Sequence, residues 1–304
     1  MTTRLLLNGK KAGLEPIREA VYSIRNKGYD LQVRPTWEAG DIERLVAEAA
    51  EQGVTRIIAG GGDGTVNEVV NAINKLQVSY IELAILPLGT ANDFATACEI
   101  PIEPEEALHL ALKGESYWVD SVSANDQFFI NIATAGFGAQ VTATTPVALK
   151  NFLGGGAYTL SGLVQAVNFQ PFPGKVISGE REKQANVVVG AVCNGRMAGG
   201  GQQLAPDAYI DDGLLDTFSI ESFSAADIAT VIEELQSDAN ATESKFVHKH
   251  KVKTVEWQSN TVMPINLDGE PISSPNVMIS LIPSSIKLVL PAHTPVLLHR
   301  RKTN

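Results

Sequence analysis

The first half of the chain alternates short apolar runs with amphipathic stretches. Leu5–Leu7 reads as a buried strand, and Leu14, Ile17, Val21 and Ile24 then recur at helical spacing until Gly28 supplies a stop. A second strand, Leu31–Val33, leads to Asp41, a candidate N-cap for a helix carrying Leu45, Val46, Ala49 and Ala50. Ile57–Ala59 runs into a glycine triplet and a helix with Val66, Val69, Val70, Ile73 and Leu76 on one face. Leu83–Leu86 runs into Pro87-Leu88-Gly89-Thr90. Strand followed by helix, repeated, predicts a doubly wound, Rossmann-like parallel sheet with helices on both faces.

After about Asp120 the texture changes to strand-length apolar segments separated by Gly, Pro, Asn and Asp. They are Phe128–Ile132, Val187–Cys193, Leu214–Ile220, Val252–Trp257, Val262–Leu267, Val277–Ile282 and Ile286–Leu290. This predicts a mainly antiparallel β domain, interrupted by a helix that Ser224 caps with Asp227 at its third position. The expected domains are 1–130 and 131–290, with 291–304 a candidate to return to the first.

Composition narrows the functional classes. At 304 residues the chain exceeds what one core comfortably fills, so two domains are expected. The net charge of -10 argues against wide binding to nucleic acid and against tight adhesion to an anionic membrane. Lys245, Lys249, Lys251 and Lys253, and the run His299-Arg300-Arg301-Lys302, are local basic exceptions that could touch headgroups but read more plainly as solvated edge-strand charges. No membrane span or signal peptide is evident, so the cytoplasm is the expected location. Cys98 and Cys193 are too few for a disulfide framework or a thiolate metal site.

The chemistry concentrates in loops. Gly60-Gly61-Gly62-Asp63-Gly64-Thr65 follows a predicted strand and opens a predicted helix, where a bare backbone and helix-start amides favour a phosphate. The plainer alternative is a tight turn with Thr65 and Glu68 as a capping box. The loop is neither a Walker loop nor a dinucleotide fingerprint. Asn67 and Glu68 lie within one helical turn of Asp63. Pro87-Leu88-Gly89-Thr90-Ala91-Asn92-Asp93 forms a second loop at the same edge, where Asn92 and Asp93 are candidates either for polar reach or for capping the next helix. Asn8-Gly9-Lys10 and Thr36 complete a row of polar tips. In the β domain, Pro206–Leu214 mixes carboxylates with turn carbonyls, the oxygen ligands that Mg²⁺ or Ca²⁺ takes, though Asp-Gly before a strand is also an ordinary turn. Asp268-Gly269-Glu270 offers two carboxylates for a general base, or simply a turn.

Taken in order, five segments carry a resemblance: 60–69, 86–95, 194–201, 206–216 and 267–271. Together they resemble the bacterial lipid kinases of the diacylglycerol kinase catalytic family, most closely the YegS type. The resemblance implies a nucleotide domain related to those of NAD kinase and phosphofructokinase, joined to a β-sandwich. It implies an ATP-dependent kinase acting on a lipid hydroxyl, diacylglycerol- or phosphatidylglycerol-like, reached by peripheral contact at the inner face of the membrane. Carried over by position, Thr36, Gly62, Asp63, Gly64, Thr65, Val66, Asn67, Glu68 and Thr90 are the nucleotide contacts. Tyr209 and Leu214 offer main-chain oxygens, and Asp212 its carboxylate, to Mg²⁺ or Ca²⁺. Glu270 is the implied catalytic base, with Asp268 the competing candidate. The first loop departs from the family pattern, reading Asn8-Gly9-Lys10-Lys11 where relatives carry Asn-Pro and Ser-Gly. The alternatives are a kinase of a soluble acceptor, as in NAD kinase, and an ATP-binding regulatory protein without turnover. Nothing in the pattern specifies an oligomeric state.

Overall fold

A computed structural model describes residues 2–137, 139, 166–179, 181–236 and 244–298. The basic cluster at 299–302 lies outside them. The chain divides into two compact units: residues 1–121, 210–212 and 282–304 form the first, and 122–209 and 213–281 the second. This division differs from the boundaries read off the sequence, because the return to the first unit begins at Ile282 and includes the short excursion Ile210–Asp212.

In the first unit β1 (Thr3–Leu7), β2 (Leu31–Pro35), β3 (Arg56–Gly61) and β4 (Glu82–Pro87) pair in parallel in the order β2-β1-β3-β4. The end of the long strand Glu270–Leu290 adds alongside β4, with Lys287 opposite Glu82. Helices α1 (Glu15–Asn26), α2 (Asp41–Glu51), α3 (Asp63–Leu76), α4 (Asp93–Ala97) and α5 (Pro104–Lys113) connect and follow the strands. Leu5, Leu7 and Ile58 pack with Ile17, Val21 and Ile24 of α1 and Leu108 of α5, while α2 and α3 pack on one another. Burial on both faces explains why these strands are nearly continuous apolar runs. The chain leaves β1 for β2 in one direction and crosses back to β3 in the other. The sheet's switch point therefore falls between the C-terminal ends of β1 and β3, where open α/β sheets bind ligands.

The opposite end of this sheet is tied by charge. Glu82 accepts from Ser116 at 2.6 Å and pairs with Arg56 at 2.6 Å and Lys287 at 2.9 Å. Burial alone would raise its carboxyl, but the hydrogen bonds from Ser116, Lys287 and Arg56 outweigh that and bring it down to about 2. At α2, Gly40 with φ 87° occupies the cap position that the sequence assigns to Asp41. Asp41 is instead the first helical residue, and its carboxylate reaches back to the N–H groups of Trp37 (2.6 Å) and Glu38 (3.0 Å).

The remaining strands are β5 (Glu115–Ala124), which runs from the first unit into the second, β6 (Gln127–Phe129), β7 (Ile132–Gly136), β8 (Phe172–Ser178), β9 (Arg181–Cys193), β10 (Met197–Ala198), β11 (Gln202–Gln203), β12 (Leu215–Glu221), β13 (Val247–Val252), β14 (Thr254–Leu267) and β15 (Glu270–Leu290). Among the described residues a further helix is α6 (Ile228–Gln236). In the second unit, pairing runs β13-β12-β9-β7-β14-β15, all antiparallel, and β8 joins both β9 and β14. The ring β7-β9-β8-β14 thus closes on itself, because β9 and β14 are long enough for each to pair with β7 along one half and β8 along the other. Trp257 lies against Gly174, where a Cβ would come within 2.5 Å of its ring.

Two expectations change here. The separate strands at 252–257 and 262–267 are one strand, β14, whose register slips between Gln258 and Met263 instead of ending. Val277–Ile282 and Ile286–Leu290 likewise belong to one 21-residue strand. The Ser224–Asp227 cap forms, with the Ser224 N–H donating to Asp227 at 3.1 Å, and β13, carrying Lys249 and Lys251, pairs with β12 alone among the described residues.

Candidate functional site

Four loops are joined at the C-terminal edge of the parallel sheet. The Gly9 N–H donates to Thr36 Oγ1 at 3.2 Å, the Asn8 N–H to the Gly60 carbonyl at 2.8 Å, and the Leu88 N–H to the Gly61 carbonyl at 2.8 Å. The glycine triplet is closely packed by the protein itself. A Cβ on Gly60 would meet the Leu5 side chain at 2.8 Å, one on Gly61 would meet Thr65 Oγ1 at 2.1 Å, and one on Gly62 would come 3.1 Å from the Gly89 Cα. Gly62 and Gly89 therefore let two loops meet backbone to backbone.

Asp63 locks that meeting. Its carboxylate accepts from the N–H groups of Asp93 (3.2 Å) and Phe94 (3.1 Å), so a residue at the start of α3 caps the start of α4. Burial pushes its carboxyl up from the ordinary value, and the Phe94 and Asp93 amides oppose that rise. Asn92, at φ 51°, does not cap α4 with its side chain. It accepts from the Gly89 N–H at 2.8 Å and donates to the Gly89 carbonyl at 3.0 Å, closing the loop on itself.

The Thr65–Glu68 capping box does not form, because α3 already begins at Asp63 with Gly62 at the cap position. Thr65, Val66 and Asn67 are buried, Asn67 accepting from Asn71 at 2.7 Å, whereas Glu68 and Thr90 are exposed. The first-turn amides at Gly64 and Thr65 have no helical partner by position and carry the positive end of the helix dipole. This edge can therefore hold a polyphosphate through backbone N–H groups.

In the second unit β14 and β15 are joined by a two-residue turn, Asp268 (φ 48°) and Gly269 (φ 103°), between the paired residues Leu267 and Glu270. Asp268 and Glu270 consequently do not share an extended strand face. The Asp268 carboxylate accepts from three successive backbone N–H groups: Ile130 at 2.9 Å, Asn131 at 3.1 Å and Ile132 at 2.7 Å. Glu270 is exposed. The same 130–132 segment binds the 194–201 motif, since the Asn194 and Gly195 N–H groups both donate to the Asn131 carbonyl at 2.9 Å, and Asn131 Nδ2 donates to the Met197 carbonyl at 2.8 Å. Sequence reading missed Ile130-Asn131-Ile132, although an asparagine between two isoleucines in an apolar run was its available signal.

The 206–214 stretch is held by Arg196, whose Nε donates to the Ala208 carbonyl at 2.7 Å and whose guanidinium lies 5.0 Å from the Tyr209 ring centroid. Asp211 accepts from the Leu298 N–H at 2.7 Å. Asp212 is half-buried and Gly213, at φ 74°, turns the chain into β12. Among the described residues no group of three or more His, Cys, Asp or Glu side chains gathers as a metal cluster. Main-chain carbonyls such as those of Tyr209 and Leu214, and a carboxylate such as that of Asp212, are hard oxygen groups of the type that Mg²⁺ and Ca²⁺ take.

Residues 2–124 match the diacylglycerol kinase catalytic domain, and residues 131–290 match the YegS C-terminal NAD kinase beta sandwich-like domain. The chain belongs to the YegS-like family. It is 47% identical over 296 residues to a protein of Shewanella frigidimarina named as a probable YegS-like lipid kinase, covering 97% of this chain and 95% of that one. A protein of the same description from Yersinia enterocolitica is 42% identical, covering 97% and 99%. A crystal structure of a candidate diacylglycerol kinase from Bacillus anthracis is 27% identical with a TM-score of 0.77, covering 96% of each chain. This YegS-like chain shares with those relatives the doubly wound domain followed by the β-sandwich. Among its described residues no helix is long and apolar enough to cross a membrane.

Proposed function

We propose that this chain is an ATP-dependent lipid kinase that transfers the γ-phosphate to the hydroxyl of a diacylglycerol- or phosphatidylglycerol-like lipid. The observation that carries the reading is the four-loop edge, in which Asp63 and the Gly62–Gly89 contact hold two glycine loops together around the N-terminal end of α3. The 41–47% identity to proteins described as probable lipid kinases supports the acceptor class.

In this reading the first-turn amides of α3, with Thr36 and Thr90, bind the polyphosphate, and Gly62 to Glu68 supply its backbone bed. Asp63 acts by fixing the loops, because both its oxygens already accept from α4. Phosphoryl transfer depends mainly on positioning and charge stabilisation. A Mg²⁺ or Ca²⁺ held by the Tyr209 and Leu214 carbonyls and the Asp212 carboxylate would supply positive charge when bound. Glu270 is the group we assign to accept the hydroxyl proton. Asp268, with its oxygens committed to three amides, positions the turn that carries Glu270. The lipid would be met at the inner face of the membrane by transient contact of a cytoplasmic protein.

The test is incubation of the chain and ATP labelled at the γ-phosphate with separate pools of bilayer lipid, NAD and sugar phosphates. Label is expected in the lipid pool alone. Label in NAD or a sugar would replace the acceptor, and ATP binding without any transfer would replace catalysis by a regulatory role.

A further inference from the structure

The outer end of the four-loop edge carries one large side chain that the fold does not use. Trp37 is 96% exposed, more than any other large hydrophobic residue described, although tryptophan is ordinarily well buried. Its backbone, by contrast, is fixed. The Trp37 N–H donates to Asp41 Oδ2 at 2.6 Å. The preceding Thr36 donates its N–H to the Leu7 carbonyl at 2.9 Å and accepts from the Gly9 N–H through Oγ1 at 3.2 Å. A Cβ on Gly9 would come 2.0 Å from the Thr36 carbonyl oxygen, so the first loop and residue 36 are in backbone contact. A fixed backbone with an unpacked ring leaves the indole free to settle on a ligand.

Position along the edge decides which ligand. β2 lies beside β1, with Pro35 opposite Leu7, and β1 lies beside β3, with Leu7 opposite Gly60. At about 4.8 Å between neighbouring strands, Trp37 follows a strand end roughly 10 Å from the one that runs into α3. A polyphosphate on the first-turn amides of α3 can extend its nucleoside to one of two sides. On the β4 side the 87–93 loop is in the way, since a Cβ on Gly89 would come 2.6 Å from the Gly62 Cα and Asn92 closes that loop on itself. On the β1 side the edge is lined by Gly9, without a side chain, then by Thr36, and it ends at Trp37. A bilayer is the other partner an exposed indole suits, but the neighbouring Glu38 is exposed too and the chain carries a net charge of -10, which disfavours an anionic surface.

We propose that Trp37 stacks on the base of the bound nucleotide, whose sugar then lies over Gly9 and Thr36. This rests on the nucleotide reading of the edge and adds the group that holds the nucleoside end. Every base presents a π-face, so the indole supplies affinity without reading the hydrogen-bonding edge of the base. It carries no charge and acts on neither the phosphates nor the acceptor hydroxyl.

The experiment is equilibrium dialysis of the full chain, without lipid, against ATP, GTP and inorganic tripolyphosphate, for wild type, Trp37→Ala and Trp37→Phe. Trp37→Ala should weaken ATP and GTP by about tenfold or more and leave tripolyphosphate within about twofold. Trp37→Phe keeps an aromatic face and should recover most of the loss. ATP, but not tripolyphosphate, should quench indole fluorescence in the wild type, and the quenching should vanish in Trp37→Phe, where only Trp118 and Trp257 remain. Because the side chain is exposed, the thermal transition of both variants should match the parent. Wild-type ATP affinity in Trp37→Ala would overturn the stacking and leave the phosphate site standing, and loss of sedimentation with phosphatidylglycerol vesicles by that variant would make the ring a membrane contact instead. An equal loss for ATP and tripolyphosphate would place the effect on the loops and overturn the proposal as well. Failure of the wild type to bind either ATP or tripolyphosphate would remove the nucleotide reading itself.

Discussion

Replacing Asp268 with Asn separates the two carboxylates of the β14–β15 turn. Oδ1 accepts from Ile132 at 2.7 Å and Asn131 at 3.2 Å, and Oδ2 from Ile130 at 2.9 Å and Asn131 at 3.1 Å. Asparagine keeps one acceptor oxygen. In either flip its NH₂ faces a backbone N–H, so one charge-assisted bond, worth roughly 1.5–3 kcal/mol, is lost and the others weaken to neutral strength. A net destabilisation of about 2–4 kcal/mol is therefore expected in the second unit. Urea unfolding of parent and variant measures it, analysed for the transition of that unit because a two-unit chain need not unfold in one step. Glu270→Gln is the control, since an exposed surface change should stay within about 0.5 kcal/mol. An Asp268→Asn protein as stable as its parent that nonetheless loses lipid phosphorylation would refute the reasoning and make Asp268 the base.

Three further outcomes follow from the first unit and the 209–214 turn. Gly89→Ala places a Cβ 2.6 Å from the Gly62 Cα and 2.7 Å from Asn92 Oδ1, so the loops must part; ATP affinity should fall at least about tenfold, with a stability cost of about 1–3 kcal/mol, and wild-type affinity by equilibrium dialysis would contradict the backbone contact as the reason for glycine. Glu82 has a carboxyl lowered from 4.5 to about 2, so its contribution is present above pH 4.5 and is lost as pH falls toward 2; in that window the parent should lose stability more steeply than Glu82→Gln, and parallel curves would sink the assignment. Asp212→Ala should shift the Mg²⁺ or Ca²⁺ dependence of lipid phosphorylation to higher concentration, and coincident metal titrations would remove that carboxylate from the ion site.

Much of the first unit was legible because its sheet is buried on both faces, so each strand is an apolar run and each helix shows its own period. The candidate site was legible as motifs, but not as causes. The glycine triplet reads as space for phosphate, and the structure adds a contact the sequence did not show, since a Cβ on Gly62 would come 3.1 Å from the Cα of Gly89, a residue 27 positions away. Asp63 reads as a ligand contact and is found capping α4. Asp268 and Glu270 look equivalent until the turn conformation at Asp268 and its three amide partners distinguish them. The closed ring of β7, β9, β8 and β14 was not legible, because it depends on pairings between distant segments.

The most direct test of the central claim is label transfer from γ-labelled ATP to membrane lipid by wild type and Glu270→Gln, with ATP binding measured on the same samples. Gln keeps the shape of Glu but cannot take the hydroxyl proton. The account predicts ATP affinity within about twofold of wild type and lipid phosphorylation reduced by ~10²–10⁴-fold. Full transfer by Glu270→Gln, or no transfer to lipid by the wild type, would contradict it.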